Sequence, residues 1–191
     1  MRRLEINLNK IKHNAKTLKE EFAKKGITIT SVIKGVAGSP EIANAILESG
    51  INTIAVSQFQ DIKKMKEFGV KAEFLLTRLP MHSEVPDIVK YADIGLNSEI
   101  STVRLLSEHS LKQGKRHKVV LMLELGDLRE GILPQDIDSF VEQTIPLKGI
   151  KADVYKGFAP GLLNIYRLRV CILPDGAPRI SYCFKGLIIL L

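Results

Sequence analysis

The sequence predicts an α/β fold built on a parallel sheet, and three observations carry that prediction. Short apolar runs alternate with helical patterns from about residue 9 to residue 154. Short loops join them. Charged residues follow directly after two of the runs, in Val32-Ile33-Lys34-Gly35 and in Leu123-Glu124-Leu125-Gly126-Asp127. Strands alternating with helices across short loops require right-handed crossovers, so the sheet is either doubly wound or a closed eight-stranded barrel. About six strands are legible.

The elements read in order. Ile11, Ala15, Leu18 and Phe22 recur at helical spacing, which predicts a helix from about Asn9 to Lys25 that Gly26 ends in the left-handed region. A strand follows over Ile27 to Ile33. The next helix, Pro40 to Ser49, has Ser39 as N-cap, Pro40 at its first position and Gly50 as its stop. Strand Thr53 to Val56 leads to a helix whose stripe is Phe59, Ile62, Met65 and Phe68. Strand Glu73 to Thr77 precedes an irregular segment with Pro80 and Pro86 and a short helix to Tyr91. Strand Asp93 to Leu96 precedes a helix capped by Asn97 or Ser98, with Ile100, Val103 and Leu106 on one face. Strand Val119 to Leu125 precedes a helix starting at Pro134, and a sixth strand runs from Gly149 to Val154.

Beyond that strand the pattern stops. Gly157, Pro160, Gly161, Pro174, Gly176, Pro178 and Gly186 interrupt short apolar stretches, and Leu187 to Leu191 is wholly apolar. Residues 1–153 therefore form the expected barrel-like unit. Residues 154–191 are expected to be an aberrant tail, frameshifted or foreign sequence on a truncated unit, or disordered. The alternative is a divergent loop and last strand.

Composition narrows the function classes. With 45% hydrophobic and 26% charged residues over 191 positions, the chain has the make-up of a globular domain able to bury a core. The net charge of +7 does not indicate nucleic acid, because +4 of it lies in the tail and the rest is a balanced surface mixture. No apolar run approaches the roughly 20 residues that cross a bilayer, and the N-terminus lacks the apolar stretch of a signal peptide. Cys171 and Cys183 have no zinc spacing, which fits a reduced, cytoplasmic protein. His13, His82, His109 and His117 show neither HxH nor HExxH spacing, so no metal site is expected. Neither a P-loop nor a dinucleotide fingerprint occurs.

Lys34 is the residue placed for chemistry. A lysine amine is a nucleophile only when neutral, and a strand-end site with apolar walls favours that form and attack on aldehydes. The plain alternative is a solvated loop lysine.

Four stretches together resemble the alanine racemase N-terminal domain family, the fold-type III pyridoxal-phosphate (PLP) barrels, in its ornithine racemase-like branch. They are Leu4-Glu5-Ile6-Asn7-Leu8, Val32-Ile33-Lys34 with Gly38, Asp93-Ile94-Gly95-Leu96-Asn97-Ser98-Glu99, and Gly126-Asp127-Leu128-Arg129-Glu130-Gly131. The likeness spans about residues 3–153. It implies an incomplete parallel (β/α)8 TIM-type barrel, PLP as cofactor, a small amino-acid substrate and a homodimer. It also implies that Lys34 carries PLP covalently and moves the substrate's α-proton, with Arg129 near the cofactor's phenolate oxygen. Alanine racemases hold the phosphate with a tyrosine where this chain has Ala37 or Gly38, so the amides of Gly38 and Ser39 are the expected substitutes. Ser57 is a further cofactor-site candidate, although Gln58 follows it where other branches carry an arginine. Glu124 stands where alanine racemases have an aspartate, and is read as a salt-bridge partner for Arg129. The resemblance thus implies a PLP-dependent amino-acid racemase barrel in a truncated copy of impaired activity, and the alternatives are a PLP carrier and a non-functional fragment.

Overall fold

The computed structural model describes residues 5–124, 128, 130–158, 167–172, 178–182 and 186–190, with side chains described up to residue 151. Helices and strands alternate from the start: α1 (Leu8–Ala23), β1 (Thr28–Val32), α2 (Pro40–Leu47), β2 (Thr53–Val56), α3 (Phe59–Glu67) and β3 (Glu73–Leu76). The alternation continues with α4 (Val85–Tyr91), β4 (Ile94–Asn97), α5 (Ile100–Lys112), β5 (His117–Glu124), α6 (Ile137–Thr144) and β6 (Ile150–Phe158). Strands β1 to β6 lie side by side in chain order and are parallel throughout. This is the α/β half-barrel that the resemblance implies, one of the two arrangements that the alternation leaves open.

Three more strands follow: β7 (Arg167–Ile172), β8 (Pro178–Tyr182) and β9 (Gly186–Leu190). β7 runs antiparallel to β6 and β8 antiparallel to β7, whereas β9 crosses to the other edge and lies parallel to β1. The rest of the segment that the sequence marks as aberrant lies outside the described residues.

Residue alternation sorts the core into two layers. Ile29, Ile33, Ile54, Val56, Phe74, Leu76, Val119 and Leu121 point outward and pack under the helices. Val32, Ala55, Leu75, Leu96, Val120 and Met122 point inward and form the barrel-side cluster. At the N-terminal ends of the strands the Lys118 ammonium pairs with Glu73, and the Thr53 hydroxyl donates to the same carboxylate at 3.3 Å.

The local signals explain the helix starts. The Asn7 side chain accepts from the Lys10 amide at 3.0 Å, and the Ser39 hydroxyl accepts from Ile42 with Pro40 at the first position. Three expectations shift. The last helix begins as a single 3-10 turn, Pro134–Asp136, before α6. Neither Asn97 nor Ser98 caps α5, because Asn97 ends β4 on its outward side and is fully buried, leaving Glu99 at the cap position without a side-chain hydrogen bond. Phe68 is 67% exposed, although Ile62 and Met65 of the same stripe are fully buried. Steps of three residues drift about 60° each around a helix of 3.6 residues per turn, so Phe68 ends up opposite Phe59.

His117 opens β5 beneath α5 and is 3% exposed. Burial pushes its pKa down to about 4, and the Lys115 ammonium adds to the effect. The unfolded chain takes up this proton near pH 6.5, whereas the folded chain takes it up only near pH 4. Stability should therefore be full above about pH 6.5 and fall as the pH drops toward 4, by about 3 kcal/mol from this group. Urea unfolding at pH 7 and pH 4.5 checks this. His117→Phe should flatten the dependence in that window.

Candidate functional site

The C-terminal ends of parallel strands are where such sheets present chemistry, since loops there converge from every strand. Lys34 lies two residues past the inward-facing Val32, in a 3-10 turn over Lys34–Val36, and its side chain is exposed. Among the described residues it has no hydrogen-bonding or ion-pair partner, so the amine stands free at the mouth. The apolar floor below it is built from Val32, Ala55, Leu75 and Leu96. A free amine above an apolar floor suits an aromatic aldehyde such as PLP.

The loop after Lys34 is tightly held. Ala37 and Gly38 have φ of 47° and 57°. A Cβ on Gly38 would lie 2.7 Å from the Asp61 Cβ of α3. Gly38→Ala should therefore cost about 1–3 kcal/mol through crowding and backbone strain. Gly35→Ala, where a Cβ meets nothing within 4 Å, should be close to neutral in the same denaturation series.

The amides of Gly38 and Ser39 already donate within this loop, to Ile33 at 3.5 Å and to Val36 at 3.1 Å. The Ser39 hydroxyl donates to Glu41 at 2.7 Å and holds that carboxyl below its usual range. An anion arriving here has to displace these bonds, and the long Gly38 bond is the weakest of them.

Ser57 follows β2 and is half-buried. Its carbonyl accepts from the Nε of Arg78 at 3.2 Å, while the Arg78 guanidinium grips both oxygens of Glu84 at 3.0 and 2.8 Å. A cation from the end of β3 thus lies beside Ser57, paired with Glu84. Sequence reasoning missed it, although Thr77-Arg78 occupies the same strand-end position as Ile33-Lys34.

Across the mouth, over β4 and β5, a cavity of about 300 Å³ is lined by Leu79, Ser98, Glu99, Glu124, Leu128 and Glu130. Glu124 is 7% exposed and accepts from the Leu128 amide at 3.0 Å, which shapes the loop carrying Arg129. Arg129 itself lies outside the described residues. The loop returns to the sheet at Ile132, which bonds to Glu124 and Met122. A Cβ on Gly131 would sit 2.5 Å from the Glu124 nitrogen, so this turn closes only with glycine.

Residues 6–155 match the family described as alanine racemase, N-terminal domain. The chain belongs to this family. It is 34% identical over 181 residues to an ornithine racemase of Acetoanaerobium sticklandii, covering 91% of this chain and 50% of that protein. A lysine racemase of Thermotoga maritima is 35% identical over 130 residues, covering 68% of this chain and 37% of that protein. The alanine racemase family chain thus spans about half, or less, of these relatives' lengths. A Streptomyces lavendulae alanine racemase structure superposes with a TM-score of 0.72 at 16% identity, over 82% of this chain and 44% of that one. That likeness gives the barrel fold. The family match ends at residue 155, close to the boundary that the sequence pattern places at 153, whereas the ornithine racemase match runs on into the tail.

Proposed function

We propose that this chain carries the PLP-binding barrel of an amino-acid racemase of the ornithine and lysine type. The observation that carries the reading is the free Lys34 amine at the mouth of a sheet that belongs to the alanine racemase N-terminal domain family. PLP, when bound, supplies an electron sink for the carbanion left by loss of the α-proton. Lys34 anchors the cofactor, and its amine takes and returns that proton on one face. Gly38 and Ser39 sit within reach of an anion at the start of α2, Ser57 borders the cofactor from β2, and Arg129 completes the set. Arg78 and Glu84 hold the ends of β2 and β3 together beneath it. Glu99, Glu124 and Glu130 line the mouth cavity, a setting that favours a substrate with a second, cationic amine. The names of the two relatives above 30% identity support the same choice.

The test is incubation with PLP, visible absorbance, borohydride reduction and peptide mapping, followed by polarimetry with L-ornithine, L-lysine and L-alanine. A label on Lys34 with loss of rotation supports the racemase. A label without turnover on any amino acid supports a PLP carrier. No label in folded protein removes both.

We also propose that residues 154–191 are an aberrant tail, of frameshifted or foreign origin, on the partial barrel of residues 1–153, and that the chain acts in the cytoplasm as a homodimer. The change from parallel βα units to antiparallel strands after β6 supports an aberrant tail. Limited proteolysis should trim the chain to near Asp153. A fully resistant chain counts against it.

A further inference from the structure

We propose that the fold contains an internal water site behind the sheet, held by the Asn97 carboxamide and the His117 imidazole above Gly95, between β4, β5 and α5. Asn97 is 0% exposed and His117 3% exposed. Among the described residues, both amide atoms of Asn97 and the Nε2 of His117 have no hydrogen-bonding partner, and neither has the Ser110 hydroxyl on the buried face of α5. Burying a polar atom without a partner is costly. A set of this size in one layer is rare unless water satisfies it.

The geometry at Gly95 shows where the two side chains converge. An ideal Cβ there would lie 3.1 Å from His117 Nε2 and 3.2 Å from Asn97 Nδ2. Both nitrogen atoms therefore converge on Gly95, which has no side chain to keep them apart. Exchanging the oxygen and nitrogen of Asn97 does not remove the problem, because both atoms are unpartnered and the exchange only swaps which one faces the ring. A water molecule can donate to one group and accept from the other, whichever orientation the amide takes. Neutral His117 is equally able to accept or donate at Nε2.

His117 also lines a polar cavity of about 380 Å³ at the N-terminal ends of the strands, with Glu73, Asp93, Lys115, Arg116 and Lys118 on its walls. The site would tie the two ends of the sheet together. Asn97 is followed directly by Ser98 and Glu99, which line the mouth cavity, so bridging Asn97 to His117 anchors that wall of the mouth to the start of β5.

The test is a crystal structure of the full chain at a resolution that orders internal solvent. The expected result is a water peak about 2.7–3.2 Å from His117 Nε2 and from one Asn97 amide atom. A direct bond between the imidazole and the carboxamide, or a dry space between them, overturns the proposal. In solution, water magnetic relaxation should count one fewer long-lived water in Gly95→Ala than in wild type. An unchanged count in folded Gly95→Ala also overturns it. Should that variant not fold, the wild-type density decides alone.

Discussion

Lys34→Ala is expected to abolish covalent PLP labelling of the chain and to lower any racemisation by roughly 10²–10⁴-fold, the range contributed by a positioned acid–base group. The argument is local. The amine stands free and exposed two residues past the inward-facing end of β1, above an apolar floor. Because it makes no contact that the fold depends on, thermal stability should change by less than about 0.5 kcal/mol. The combination separates chemistry from folding: a variant that melts like wild type yet takes no borohydride label has lost a function and nothing else. Exogenous methylamine should restore part of the proton transfer, which a purely structural lysine would not allow. A label of wild-type intensity on another lysine in Lys34→Ala would sink the assignment, whatever the activity.

Gly149→Ala should be the most destabilising small substitution in the described part of the chain. A Cβ at this position would collide with the Ser107 carbonyl oxygen and approach the Ser107 Cα at 2.8 Å. Both obstacles are backbone atoms in the middle of α5, so no side chain can swing aside. The same glycine donates its amide to the Ser107 hydroxyl at 3.0 Å and accepts from the His117 amide at 2.9 Å. Relief of the clash would have to break one of these bonds or lift α5 from the sheet. Overpacking of this kind costs about 3 kcal/mol or more, about 6–12 °C in melting temperature for a domain of this size. Ser107→Ala, which removes the hydroxyl and leaves the buried Gly149 amide unpaired, should cost less, about 1–3 kcal/mol. Thermal denaturation of both variants measures the difference. Equal losses would mean that the hydrogen bond, not the close approach, holds β6 against the helix.

The two substitutions show how differently the chain exposes its function and its packing. Lys34 stands out in the sequence because an apolar run ends on it. Gly149 does not stand out, since its reason for being glycine lies 42 positions away in α5.

The sequence by itself determined the alternation of helices and strands through β6 and the parallel arrangement of those six strands. Those features depend on periodicity and on caps such as Asn7 and Ser39, interactions within a few residues that a linear pattern records. Only the tertiary structure decided which groups meet across strands. It placed Arg78 on the Ser57 carbonyl and in the grip of Glu84, turned Phe68 out to solvent, and buried His117 and Asn97 above Gly95, where the sequence had offered Asn97 as a helix cap. The physical reason is the same in each case. Register between neighbouring strands and the seat of a helix on the sheet are set by the summed packing of the core, and no single residue carries that sum in its neighbours along the chain.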